Sequence, residues 1–148
     1  MEGIYARASP RLGRAVQIGV VAERVISVSF PDDPPADSEP DHPILDRIFA
    51  YLDGAEDHFD DVPVGLTVPT DQRAVLDAVR NVPYGETVDV ARVARLAGLD
   101  DEDQADLDTV REALRANPTP LVIPDHRVSG PGATPGDVAE RLREVETQ

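Results

Sequence analysis

The chain predicts an α+β fold, with a small sheet at the N-terminal end and a helical half after it. Three observations predict this. Apolar residues alternate with polar ones over residues 1–30, the two-residue period of strands. From residue 43 onward they recur at three- and four-residue steps, the period of amphipathic helices. Between the two lies the Pro- and Asp-rich run Pro31–Pro40, which has nothing to bury.

Ile4 and Ala6, then Val16, Ile18 and Val20, then Val25 and Val28 mark the strands, with turn signals at Ser9-Pro10 and Leu12-Gly13. Val20 to Val25 reads as a hairpin and its return strand. Pro43 to Leu52 is a helix carrying Ile44, Leu45, Ile48, Phe49 and Leu52, stopped by Gly54. Residues 55–69 read as a connector with a short strand at Val62–Leu66. Thr70 can cap a helix holding Val75, Leu76 and Val79. After the turn Pro83–Glu86, a helix over Val88–Leu96 places Val90, Val93, Ala94 and Ala97 on one side, with Gly98 as its C-cap. The acidic link Asp100–Asp103 leads to a helix bearing Leu107, Val110 and Leu114, which ends before Asn117-Pro118. Two short helices joined through Gly98 can form a helix-turn-helix. Leu121–Ile123 reads as a short buried strand and Asp137–Val145 as a final helix. There is no internal repeat.

Composition narrows the function classes. The chain has 14 basic and 29 acidic residues, a net charge of −15, and every basic residue is Arg. Binding to a phosphate backbone rests on cations, so this balance opposes tight DNA binding in dilute salt. An acidic chain without Lys resembles the proteins of a salt-accumulating, halophilic cytoplasm. There carboxylates hold water and cations, and the Debye length falls to about 3 Å near 1 M salt. Cysteine is absent, which excludes disulfides, Cys-ligated zinc and a thiol nucleophile. His42 and His58 lie in acidic loops without ligand spacing, so neither a metal site nor a cofactor is expected. No stretch approaches the roughly 18 apolar residues of a membrane span. Arg7, Pro10 and Arg11 speak against a signal peptide. A cytoplasmic monomer is the expectation.

Two motifs say more. One is Val82-Pro83-Tyr84-Gly85-Glu86-Thr87; the other runs from Asn117 to Val128 and reads NPTPLVIPDHRV. Together they resemble the O6-alkylguanine-DNA alkyltransferase family, which carries an IPYGET turn and an NP…PCHRV active-site segment at this separation. The resemblance spans the chain and is densest over residues 70–128. It implies a three-stranded sheet with a helix in a ribonuclease-H-like domain, residues 1–66. Residues 67–148 would then form a helical domain with a winged-helix-like helix-turn-helix that binds DNA. In that family a Cys thiolate, activated by His through water and by Glu, takes the alkyl group from a base flipped out of the duplex.

This chain departs from the pattern in three places. Asp125 stands where the family has its Cys, so irreversible thioether formation is impossible. Asp108 stands where the family has the arginine that fills the gap in the base stack, and Val90 where it has a Tyr beside the flipped nucleotide's phosphate. His126, Arg127, Asn117 and Pro118 are kept, and Glu146 falls at the family's Glu once the loop Ser129–Gly136 is taken as shortened. The resemblance thus implies a degenerate site at Asp125, His126 and Glu146. It implies that Asn117, Arg127, Asp108, Val90, Arg92 and Arg111 are where substrate or DNA would be met, with Arg95 and Arg115 beside them on the two motif helices.

The role of Asp125 stays open among three chemistries: an unused buried carboxylate, an acceptor for a base edge, and a group that orients water or stabilises a cationic transition state in base excision. His126 reads as a structural histidine or a general acid–base. Asn117 reads as a backbone-bonding residue and Arg127 as a buried ion-pair anchor. The leading expectation is a non-catalytic, alkyltransferase-like protein that recognises damaged double-stranded DNA at high salt and works with excision-repair proteins. Its rivals are a glycosylase-like DNA base hydrolase using Asp125 and His126, and a protein-interaction module that no longer binds DNA.

Overall fold

The structure, a computed structural model, describes residues 3–147. Strands β1 (Gly3–Ser9), β2 (Arg14–Val21) and β3 (Arg24–Ser29) form an antiparallel sheet with β2 in the middle. The hairpin between β2 and β3 turns on Ala22 and Glu23, both left-handed with φ of 51° and 63°. Two such residues in succession make the tight turn whose twist matches paired strands, here without the usual Gly or Asn. A bulge at Gly19/Val20 adjusts the register. Coil covers parts of both sheet edges. The Ala6 N–H donates to the Glu39 carbonyl and the Glu39 N–H to the Ile4 carbonyl on one side. On the other, the Val25 and Val28 N–H groups donate to the Pro63 and Pro118 carbonyls.

Helix α1 (Pro43–Leu52) starts with Pro in its first turn, and His42 Nδ1 caps it by accepting the Ile44 N–H at 3.0 Å. It buries Leu45, Ile48, Tyr51 and Leu52. Helix α2 (Thr70–Val79) begins at Thr70, but Pro69 occupies the cap position, so Thr70 is the first helical residue and not the cap expected of it. Helix α3 (Val90–Leu96) starts two residues later than its apolar pattern suggests, because the Asp89 carboxylate caps it through the Arg92 N–H at 2.8 Å. Helix α4 (Gln104–Arg115) is capped in the same way by Asp103, through the Ala105 N–H. The acidic link between α3 and α4 is therefore partly a capping device. A single 3-10 turn spans Asp125–Arg127, and α5 (Gly136–Glu146) ends the described chain.

Two expected strands are absent. Val62–Leu66 contributes only a bridge from Val64 to Val25, since Pro63 has no N–H to offer a ladder. Leu121–Ile123 is a tight turn: Leu121 has φ of 75°, and the Ile123 N–H donates to the Thr119 carbonyl at 2.8 Å. Its apolar run reports burial, not extension. Leu121 and Val122 enter a core made by the sheet, α1 and the α5 residues Val138, Leu142 and Val145. Ile123 enters a second core with Val75 and Leu76 of α2, Val93 of α3 and Val110 and Leu114 of α4. The first of these cores thus takes in Val138, Leu142 and Val145 of α5, which also contacts α1. Among the described residues, no helix is long and apolar enough to cross a membrane.

Candidate functional site

The tight turn at residues 119–123 and the 3-10 turn after it place Asp125, His126 and Arg127 inside the protein, at 3%, 1% and 2% exposure. Asn117 holds this segment in shape. Its Nδ2 donates to the Ile123 carbonyl at 2.9 Å and to Asp125 Oδ2 at 3.0 Å, and its Oδ1 accepts the Thr119 N–H at 3.1 Å. Val88 pairs with Val128, which fastens the Pro83–Glu86 turn to the same segment.

Glu146, at the end of α5, is the hub. Its Oε2 accepts from His126 Nε2 at 2.7 Å, from Arg127 Nη2 at 3.1 Å and from the Tyr51 hydroxyl. Its Oε1 accepts from Arg127 Nε at 2.9 Å and from the Gly85 N–H at 3.1 Å. Burial opposes ionisation of this carboxyl, but the hydrogen bonds from His126 and Arg127 prevail and hold it well below the usual carboxylate range. Burial and the Glu146 charge push the Tyr51 hydroxyl far above its usual range, so it stays protonated and donates. Arg127 Nη1 closes the network on the Val82 carbonyl at 2.9 Å. Gly85, with φ of 82°, sits where a Cβ would lie 3.3 Å from the Glu146 carbonyl oxygen, so the turn needs glycine.

Because Glu146 is ionised, His126 donates from Nε2, and its Nδ1 is buried without a partner among the described residues. Asp125 lies on the other side of the 3-10 turn. Its Oδ2 accepts from Asn117 and from the Thr134 N–H at 3.3 Å, while its Oδ1 has no partner among the described residues. Burial pushes its carboxyl above the ordinary value, against the opposing pull of Thr134, Asn117 and the nearby His126. Gly132 lies directly on this carboxyl group: a Cβ there would be 3.1 Å from Asp125 Cγ. A cleft of about 420 Å³ lies on the outer side of the 130–136 loop, between Pro131, Pro135, Ala139 and Arg143, and neither Asp125 nor His126 lines it. A second cleft, of about 200 Å³, lies between the β2–β3 hairpin and α1, away from this chemistry.

The structure therefore brings Asp125, His126 and Glu146 into one buried centre. It does not bring Asn117 and Arg127 to the surface. Both are buried with their polar groups bonded inward, whereas the family resemblance implies that they meet substrate or DNA. On α4, Asp108 is exposed and Arg111 half-buried, and they pair with each other at 3.0 Å. Arg95 is likewise engaged by Asp101. Arg92 is exposed on α3, and Val90 is half-buried against the second core. Tyr51, Gly132, Thr134 and Arg143 escaped the sequence reading. Tyr51 is 95 residues from Glu146. Gly132 and Thr134 act through their backbones, and Arg143 Nε bonds the His126 carbonyl at 2.7 Å. None of these carries a signal in spacing.

Residues 70–147 match the family model described as 6-O-methylguanine DNA methyltransferase, DNA binding domain. The chain is 42% identical over 86 residues to the methylated-DNA–protein-cysteine methyltransferase of Methanothermobacter thermautotrophicus. That match covers 57% of this chain and 46% of the relative, so it spans less than half the length of that protein. The corresponding protein of Methanopyrus kandleri is 31% identical over 107 residues, 70% of this chain and 77% of that one. A DNA base-flipping protein of Thermus thermophilus is 34% identical over 100 residues, 67% of this chain and 64% of that one. The fold matches the crystal structure of Mycobacterium tuberculosis O6-methylguanine methyltransferase with a TM-score of 0.79. The identity is 23%, with 99% of this chain and 93% of that one covered.

Proposed function

The chain belongs to the O6-methylguanine DNA methyltransferase family, and from that premise we propose that it is a member that recognises damaged DNA without taking an alkyl group from it. One observation carries the reading. The position that resembles the family's acceptor Cys is Asp125, a buried carboxylate bonded to Asn117 and Thr134, in a chain with no cysteine. A carboxylate is a poor nucleophile toward alkyl carbon, and no thioether can form. Both Glu146 oxygens are nonetheless bonded, by His126, Arg127, Tyr51 and Gly85, which supports a retained binding role. Similarity to a protein named for base flipping, rather than for methyl transfer, supports the same role. Binding of damaged duplex in concentrated salt, handover to excision-repair proteins and a cytoplasmic setting belong to this reading, as does the division into residues 1–66 and 67–148.

The test is a binding titration near 1 M KCl, where charge repulsion is screened, comparing an O6-methylguanine duplex with undamaged duplex. The damaged duplex is expected to bind about tenfold tighter or more, and the protein to keep its intact mass. Equal affinities, or one added methyl on Asp125, would overturn the reading. The helix-turn-helix face gives a second expectation. Replacing Asp108→Arg removes a carboxylate and adds a cation where the duplex would lie. It is expected to strengthen binding to any duplex and to steepen the slope of log K against log salt by about one. An unchanged slope would mean that α4 does not face DNA.

A second reading is favoured by the unpartnered Asp125 Oδ1 and His126 Nδ1, two buried polar atoms that a water or substrate could satisfy. It is base hydrolysis, detected as abasic sites that vanish in Asp125→Ala. The pairing of Arg95 and Arg111 with carboxylates favours a third, a protein-interaction module. A protein indifferent to both duplexes at molar KCl would support it.

A further inference from the structure

We propose that Asp125 is a latch: its carboxylate holds the Gly130–Pro135 loop down on the site, and the loop must lift before a nucleotide can reach His126. The nucleotide rests on the reading above. The latch rests on the contacts that Asp125 makes with Thr134 and Gly132.

One end of the grip is anchored. Asn117, bonded to the Ile123 carbonyl and the Thr119 N–H, fixes Asp125 Oδ2 from the side of the packed second core. The same oxygen then takes the Thr134 N–H from the loop. Gly132 rests on the carboxyl group so closely that a Cβ would lie 3.1–3.3 Å from Asp125 Cγ, Oδ1 and Cβ. Among the described residues, the loop has one further backbone attachment, the Ala133 N–H on the Leu114 carbonyl at 2.8 Å. Its outer side faces the open cleft. Gly130, with φ of 102°, and Gly136 flank it as pivots. A thiol at position 125 is a weak acceptor and would grip the Thr134 amide far less well.

The closed state also leaves groups unsatisfied. Among the described residues, Asp125 Oδ1 and His126 Nδ1 are buried without partners. Lifting the loop breaks two backbone attachments but opens Asp125 Oδ1, against which Gly132 rests, to water or ligand.

Amide hydrogen exchange of the full chain at molar KCl tests the latch without DNA. In Asp125→Ala the Ala133 and Thr134 amides are expected to exchange about tenfold faster or more, while Val138–Val145 keeps its protection. Asp125→Asn retains an acceptor and is expected to stay near the parent. Gly132→Ala pushes the loop off from the opposite side and is expected to speed the same two amides. It serves where Asp125→Ala fails to fold. Unchanged protection in the folded Ala variants, or free-peptide exchange of the loop in the parent, would overturn the latch. If the loop is freed but association with the O6-methylguanine duplex is no faster, Asp125 holds the loop without controlling entry, and the gating half of the proposal falls. Loss of lesion preference in the parent protein would instead overturn the functional reading and leave the exchange result standing.

Discussion

Glu146→Ala is expected to lose about 3–5 kcal/mol of folding stability, the range for removing one partner of a buried ion pair. The loss arises from what stays behind. Arg127 would keep a buried guanidinium with only the Val82 carbonyl to bond, and His126 Nε2, the Tyr51 hydroxyl and the Gly85 N–H would each lose their acceptor. Glu146→Gln keeps the shape but turns an amide donor toward other donors, so it is expected to lie nearer to Ala than to the parent. Denaturant midpoints at molar KCl measure both, with Arg14→Ala as the comparison. Arg14 pairs with the half-exposed Asp137, a surface contact worth about 1 kcal/mol or less. A Glu146→Ala loss no larger than that of Arg14→Ala would show that the hub is not what holds the centre together. The pH dependence has a definite sign. The native Glu146 carboxyl lies below its ordinary value of 4.5, so its stabilisation is fully present above that value and is lost as pH falls toward the native one.

Asp125→Asn is expected to raise stability at neutral pH, and the gain should shrink on acidification. Here the shift is upward from 3.8, caused first by burial. The folded protein then binds the Asp125 proton more tightly than the unfolded chain does. Ionisation therefore penalises the native state above its pKa, and the penalty disappears below the unfolded value. Asn removes the charge while its carbonyl can still accept from Asn117 and Thr134. Melting temperatures of parent and variant between about pH 4 and pH 8 read the effect. A variant less stable than the parent at neutral pH would mean that the two hydrogen bonds draw more from the charge than burial takes away. The two carboxyls at opposite ends of the His126 turn thus titrate with opposite consequences for folding.

Local periodicity made much of the fold legible. The strands, α1 and α4 declared themselves because one face of each is buried, and Val20 to Val25 declared the hairpin although Ala22 and Glu23 are unusual residues for it. The misread segments were those in which apolar character and backbone conformation part company. Around Pro63 the alternation continues but the donor is missing. At Leu121–Ile123 three buried residues point into two cores, which requires a turn. The site was legible only in part. Asp125, His126 and Arg127 are contiguous, and Glu146 could be placed only through the family resemblance and a shortened loop. The grip of Thr134 and Gly132 on Asp125 is made by backbone, and the Tyr51 bond joins helices distant in the chain. Such contacts exist only once the tertiary structure does.

The coil segments lying along the sheet have a consequence for a protein this acidic. In dilute solution, like charge keeps neighbouring molecules apart, but concentrated salt removes that protection within a few ångströms. What remains is geometry. With Glu39 occupying one flank of the sheet and Pro63 and Pro118 the other, an incoming strand finds few backbone groups on which to extend the ladder. Resistance to fibril-like stacking then derives from these covering segments and does not depend on repulsion.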